Sequence, residues 1–249
     1  MSRAWTVFRR EWAAYFASPL AFVLIGVFVL VQAALFFYIG YPIGPVPLPG
    51  LWDGGQANLL TLFTWLPLSL ALIIPALTMG AWAEERRAGT EELLLTYPLR
   101  PWEWVLGKFL ASWAVVMLLV VMVTVPLAIT VANLGDLDWS TVWVGLVGAA
   151  GLVAAYTALA LCGSALTHEQ LVAFLLSTLL LGSLWLLRML VAYAPASLAG
   201  FLEQASPQAH FLDTAARGVL VAADAIYFLL WMGAGLVWNT LLLERRRLQ

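Results

Sequence analysis

Long apolar runs alternate with short polar breaks along the whole chain, and the runs exceed what a water-soluble core requires. Six stretches, near residues 20–39, 59–83, 104–132, 142–165, 171–194 and 220–243, are almost free of charge. Each suffices to cross about 30 Å of hydrocarbon as an α-helix, which takes roughly 20 residues. No strand-like alternation or regular train of turn signals is present, so a β-barrel is not predicted. Ahead of the first run, Trp5, Phe8, Trp12 and Tyr15 recur at helical spacing on one face. Arg3 and Arg10 fall on the opposite face, with Arg9 and Glu11 at the flanks. This pattern predicts an amphipathic helix over residues 1–18 lying in the membrane surface, aromatics toward lipid and arginines toward headgroups or a partner. Ser18-Pro19 then reads as the cap and first residue of the first span.

Two of the breaks are unusual. The second run continues as a helix into residues 84–92, where Glu84, Glu85, Arg86, Arg87, Glu91 and Glu92 crowd together. Gly89 is suited to end that helix in a left-handed conformation, and Thr90 to cap a new short one with Glu91 and Glu92 in its first turn. Pro98 and Pro101 bracket a turn, Pro101 opening the third span. The 84–101 break is therefore expected to lay a short helix across the membrane face, rigidly jointed to two spans. The break at 195–218 is too apolar for a simple loop, with Phe201, Leu202, Phe211 and Leu212 inside it. Ser206-Pro207 divides it into two short helices, a hairpin that dips toward the membrane under cover of protein. Asp213 and Arg217 are expected to pair on its second helix, with Asp224 a turn or two beyond, pinning the hairpin rather than binding cargo.

Composition and charge agree with this organisation. The chain is 63% hydrophobic with 13 Trp, which favour lipid–water boundaries, and its mean hydropathy is +0.92. A net charge of −2 gives no electrostatic case for nucleic acid. Cys162 is the sole cysteine, so an intrachain disulfide is excluded. Ten Lys and Arg lie at one set of span ends and only Arg217 at the other, which predicts cytoplasmic termini in a multi-pass protein of the cytoplasmic (inner) membrane. No small-residue cleavage site follows the first run, so a removed leader is not expected. Gly145, Gly148, Ala149, Gly151 and Ala155 make the fourth span fit for close helix approach, within the chain or between copies. Pro67, Pro75 and Pro126 mark expected kinks.

Candidate chemistry is sparse. Gly107-Lys108 is followed by Phe109, and position 102 is Trp, so the phosphate-cradling G-x-x-x-x-G-K-S/T loop is missing. His168-Glu169 lacks the second His of a zincin, and Thr167 to Gln170 reads as a capping box that starts the fifth span. His210 stands alone, and Asp136 and Asp138 read as solvated loop residues. No catalytic set, metal cluster or cofactor motif emerges, so no enzyme activity is expected. Arg188, inside the fifth span, is either a snorkelling or paired structural residue or part of a translocation path.

Taken in order, these segments resemble ABC-2 type permeases. The resemblance rests on Glu84-Glu85-Arg86-Arg87, Gly89-Thr90-Glu91-Glu92-Leu93-Leu94-Leu95-Thr96, Pro98 and Gly107-Lys108. Arg9-Arg10-Glu11, Tyr15-Phe16, Ser18-Pro19, Ser206-Pro207, Arg217-Gly218-Val219 and Asp224 support it. The branch it most resembles is that of the gliding-motility permease subunits, although Gly80 and Trp82 stand where relatives often carry a basic residue. The resemblance implies an all-α integral membrane protein, a single domain over 1–249. Its parts would be six transmembrane helices, the interfacial helix, a coupling helix between spans two and three, and a re-entrant outer hairpin. It also implies dimerisation with a second permease copy or a homologous permease, a separate cytoplasmic ABC ATPase, and an auxiliary membrane protein as a further partner. The ATPase-docking residues it implies are Arg9, Arg10, Glu84, Glu85, Arg86, Arg87, Gly89, Thr90, Glu91 and Glu92. The candidate gate residues are Arg188, Asp213, Arg217 and Asp224. The expected function is export driven by the partner's ATP hydrolysis. Two alternatives stand beside it: a mechanotransmission or assembly subunit of an envelope complex, and a gradient-driven transporter using Arg188 or Glu169.

Overall fold

A computed structural model describes residues 3–43, 47–55, 57–89, 100–191 and 193–247. Among them every regular element is a helix, and the only bridge-type pairing is Tyr41 with Leu48. Helix α1 (Arg3–Ala17) turns at Ser18 into α2 (Pro19–Ala34), which ends in a π-turn over Leu35–Ile39. The short α3 (Leu51–Gly54) precedes α4 (Leu60–Thr78) and α5 (Gly80–Arg87). Next come α6 (Pro101–Leu134), α7 (Trp139–Leu166) and α8 (Gln170–Val191). Helices α9 (Ala196–Ala205) and α10 (Pro207–Leu212), a 3₁₀ turn at Ala215–Arg217 and α11 (Ala222–Arg247) complete the chain.

Among the described residues, six helices are long and apolar enough to span a membrane: Ala21–Ile39, Leu60–Arg87, Pro101–Leu134, Trp139–Leu166, Gln170–Val191 and Ala222–Arg246. The protein is thus an all-α integral membrane protein. The second and fourth spans are the most buried, and the first, fifth and sixth form the rim, their Leu, Val and Phe side chains facing outward. That outward apolar face is what lipid requires. One end of the bundle gathers α1, α5 and the carboxyl terminus of α11. The other holds α3, α9 and α10.

Local signals act where the residues predict. Pro101 opens α6, and the Arg100 amide donates to the Glu103 carboxylate at 2.8 Å. Gly89 has φ +69° just past α5, with its amide donating to the Arg86 carbonyl at 3.1 Å. Ser206 caps α10 through the Ala209 amide, with Pro207 next. Pro67 and Pro126 sit inside unbroken helices, while the second span is interrupted at Met79, four residues after Pro75. The fourth-span glycines pack within the chain. A Cβ on Gly145 would lie 2.4 Å from the Phe63 ring, one on Gly148 2.2 Å from Ala215 and one on Gly151 3.0 Å from Phe228.

Three expectations are corrected. Thr167 does not cap the fifth span. α8 starts at Gln170, and the Thr167 hydroxyl accepts from the Glu169 amide at 3.1 Å as a turn of its own. The second hairpin helix ends at Leu212, so Asp213 and Arg217 are not one helical turn apart on it. His210 is not isolated, as described below. The short helix expected after Gly89, with Thr90, Glu91 and Glu92, lies outside the described residues.

Candidate functional site

The chemistry concentrates at the end where α1, α5 and α6 meet. Helix α1 lies along α6 because Gly107 leaves a notch for it: a Cβ there would sit 2.5 Å from Val7 Cβ and 3.0 Å from the Ala4 carbonyl. Ala4 and Val7 are accordingly buried, whereas Trp5 is half exposed and stacks on Phe8 at 4.6 Å. Further along, the Tyr15 hydroxyl is 2.8 Å from Ser112 Oγ on α6. Burial pushes the Tyr15 phenol up to about 12; Ser112 works against that shift and Glu11 adds to it. Gly107→Val is expected to lift α1 off α6 and cost about 1–3 kcal/mol. Thermal unfolding in detergent and protease access to α1 measure this, and an unchanged melting profile would exclude the notch as the seat of α1.

Lys108, the next residue, points between α1 and α5 and is only 2% exposed. Its ammonium donates to the Ala81 carbonyl at 2.7 Å, Glu85 Oε1 at 2.9 Å and Glu11 Oε1 at 3.2 Å. Three N–H groups thus meet three acceptors, and the Trp82 ring lies 4.8 Å away as a cation–π partner. Arg10 reaches the same two carboxylates, contacting Glu11 and lying 3.0 Å from Glu85 Oε1. Its guanidinium also covers the Trp104 ring at 5.2 Å. Burial works against the Arg10 charge, but Glu11 and Glu85 outweigh it and hold the guanidinium above its ordinary range. Two cations and two carboxylates from three elements therefore form one node. Arg10 faces into it, not away from the protein as the helical face suggests.

A second clasp sits beside it. Ser164 Oγ donates to the Met79 carbonyl at 2.8 Å and accepts from the Trp82 amide at 3.1 Å, tying the break in the second span to the end of α7. Arg86 and Arg246 both donate to the Ala165 carbonyl, where the negative end of the α7 dipole favours cations. The charged residues thus divide. Arg10, Glu85 and Arg86 are engaged within the chain, whereas Arg9, Glu84 and Arg87 are exposed.

At the opposite end, Arg188 neither snorkels nor stands free. It forms a bidentate pair with Asp213 at 2.6 and 2.9 Å, while Arg217 is 3.9 Å from Asp213. Asp224 is not part of that pair. It lies 2.6 Å from His210 Nδ1, and His210 Nε2 is 3.0 Å from the Gln204 carbonyl. Asp224 and the Gln204 carbonyl thus hold the ring from its two nitrogens. Tyr227 stacks on that ring at 4.0 Å and donates to the Ala205 carbonyl. These contacts join α8, α9, α10 and α11.

A permease-like bundle with a charged node at one end and a pinned hairpin at the other agrees with the comparison of families, in which residues 48–242 match ABC-2 family transporter protein. The chain belongs to that family. None of the curated proteins matches it. As an ABC-2 permease it is a multi-pass membrane component of ABC transport, a role that implies an ABC ATPase and a lipid bilayer as partners. The matched region of the permease begins after α1 and the first span. Lys108 and Glu85 therefore lie inside the family's segment, and Arg10 and Glu11 reach them from outside it.

Proposed function

We propose that this ABC-2 permease is the membrane half of an ATP-driven exporter, working as a dimer with a separate cytoplasmic ATPase. In this reading the node end faces the cytoplasm of an inner membrane, as the excess of Lys and Arg there favours. The branch is that of the gliding-motility permeases. One observation carries the reading. Lys108 binds α1, α5 and α6 together, so a push on α1 or on the segment after α5 enters the second and third spans without loss in a loose loop. The residues left to meet an ATPase are Arg9 and Arg87, with Thr90, Glu91 and Glu92 in the intervening segment. Arg10, Glu85 and Arg86 transmit the load, and Gly89 sets the joint. At the far end, Arg188, Asp213, Arg217 and Asp224 hold the outer hairpin, which gates exit.

Co-purification with the cognate ATPase tests this assignment. The double variant Arg9→Glu, Arg87→Glu is expected to lose ATPase binding and stimulation of ATP hydrolysis while keeping the wild-type melting temperature. Undiminished binding by the folded variant would remove the docking assignment.

A further inference from the structure

Beside the node lies a cavity of about 450 Å³ between α1, α2, the second span and the start of α8. It belongs to the size class of small-ligand sites, roughly 300–1,000 Å³. Its lining is graded along the second span. Arg10, Glu11, Glu84, Glu85 and Lys108 stand at one end, Tyr15, Ser18 and Gln170 follow, and Ala21, Leu24, Ala76 and Leu77 close the other. From Ala88 to Ala76 the wall runs about 18 Å at 1.5 Å per residue. Small residues, Ala14, Gly80 and Ala81 among them, keep it open. A polar-to-apolar gradient of that length, starting where the first span leaves the interface, matches an amphiphile standing as bilayer lipids stand.

Charge selects the headgroup. The lining holds three carboxylates and two cations, and Glu11 and Glu85 already share Lys108 and Arg10. Glu84 is the surplus acid: its carboxylate folds back over Gly80 beside the Gln170 amide and pairs with no cation among the described residues. Arg10 spends Nε and Nη2 on Glu11 and Glu85, while its half-exposed guanidinium lines the cavity with Nη1 in no hydrogen bond among the described residues. An ammonium next to a phosphate complements that pair of groups. We infer that this cavity binds a bilayer phospholipid with a primary-ammonium headgroup, its ammonium on Glu84, its phosphate on Arg10 and its first chain carbons against Leu24 and Leu77. A primary ammonium offers three N–H donors to Glu84, whereas a quaternary one offers none.

The test uses the delipidated full-length permease in detergent, without ATPase, so it is independent of the docking experiment. Binding of short-chain phosphatidylethanolamine, phosphatidylcholine and phosphatidylglycerol is followed by native mass spectrometry and thermal shift. The ethanolamine lipid is expected to bind about tenfold tighter than either of the others, a difference of about 1.4 kcal/mol. Glu84→Gln should abolish that preference, and Ala14→Trp, which fills the mouth from an exposed position, should abolish binding of all three. Equal affinities in the wild type, or a preference that survives Glu84→Gln, would overturn the assignment.

Discussion

Replacing Lys108 by Met is expected to destabilise the permease by about 3–5 kcal/mol, the cost typical of removing one partner from a buried ion network. The side chain is 2% exposed, and every N–H of its ammonium is used. Met nearly matches its length, so packing changes little and the loss is electrostatic. Glu11 and Glu85, both largely buried, would then face one another with only the half-exposed Arg10 between them. The Ala81 carbonyl would also lose its donor. Because the penalty lies in the stranded carboxylates, neutralising them should recover most of it. The triple variant Lys108→Met, Glu11→Gln, Glu85→Gln is expected to melt closer to wild type than the single one. Lys108→Arg offers no rescue, since a planar fork does not fit a site closed around a compact ammonium. Thermal unfolding in detergent decides the matter. A single variant that melts with the wild type would show that the node carries no load.

Lys108 also marks where reading a sequence stops. The spans were legible because an apolar run of bilayer length has few other uses, and Gly89, Pro101 and Ser206-Pro207 act through their own backbones. The node depends on distance in the chain: Glu11 and Lys108 are 97 residues apart, and no periodicity links them. Gly107-Lys108 invited comparison with a phosphate loop, whereas Gly107 is small to admit α1 and Lys108 is long to reach past it. Asp213 and Arg217 do pair, at 3.9 Å, but not along a continued helix as their spacing predicts. Thr214 instead leaves helical geometry at φ −124°, ψ −80°, and its hydroxyl turns back to the His210 carbonyl. That break gives Asp213 to Arg188, and His210 finds Asp224 on the next helix. Thr167 failed for a subtler reason, since a hydroxyl accepting an amide two residues on looks alike in a turn and in a cap.

Phe211→Ala is expected to release the hairpin at the other end, costing about 3–5 kcal/mol. The ring is fully buried, stands edge-on to Phe63 at 6.0 Å and lies against Gly148. It therefore wedges α10 between the second and fourth spans, both central to the bundle. The competing anchor is the Arg188–Asp213 pair, whose geometry is good but whose side chains are 31% and 36% exposed. At that exposure solvent screening limits the pair to about 1 kcal/mol at most. Arg188→Ala should thus leave the hairpin closed, and Phe211→Ala should open it with every charge in place. Tryptic cleavage after Arg217, which is exposed but held in a tight 3₁₀ turn, reports the opening. Faster cleavage and a lower melting temperature are expected for Phe211→Ala and not for Arg188→Ala. The reverse order would mean that charge, rather than packing, holds the hairpin, and would make Arg188 and Asp213 the gate itself.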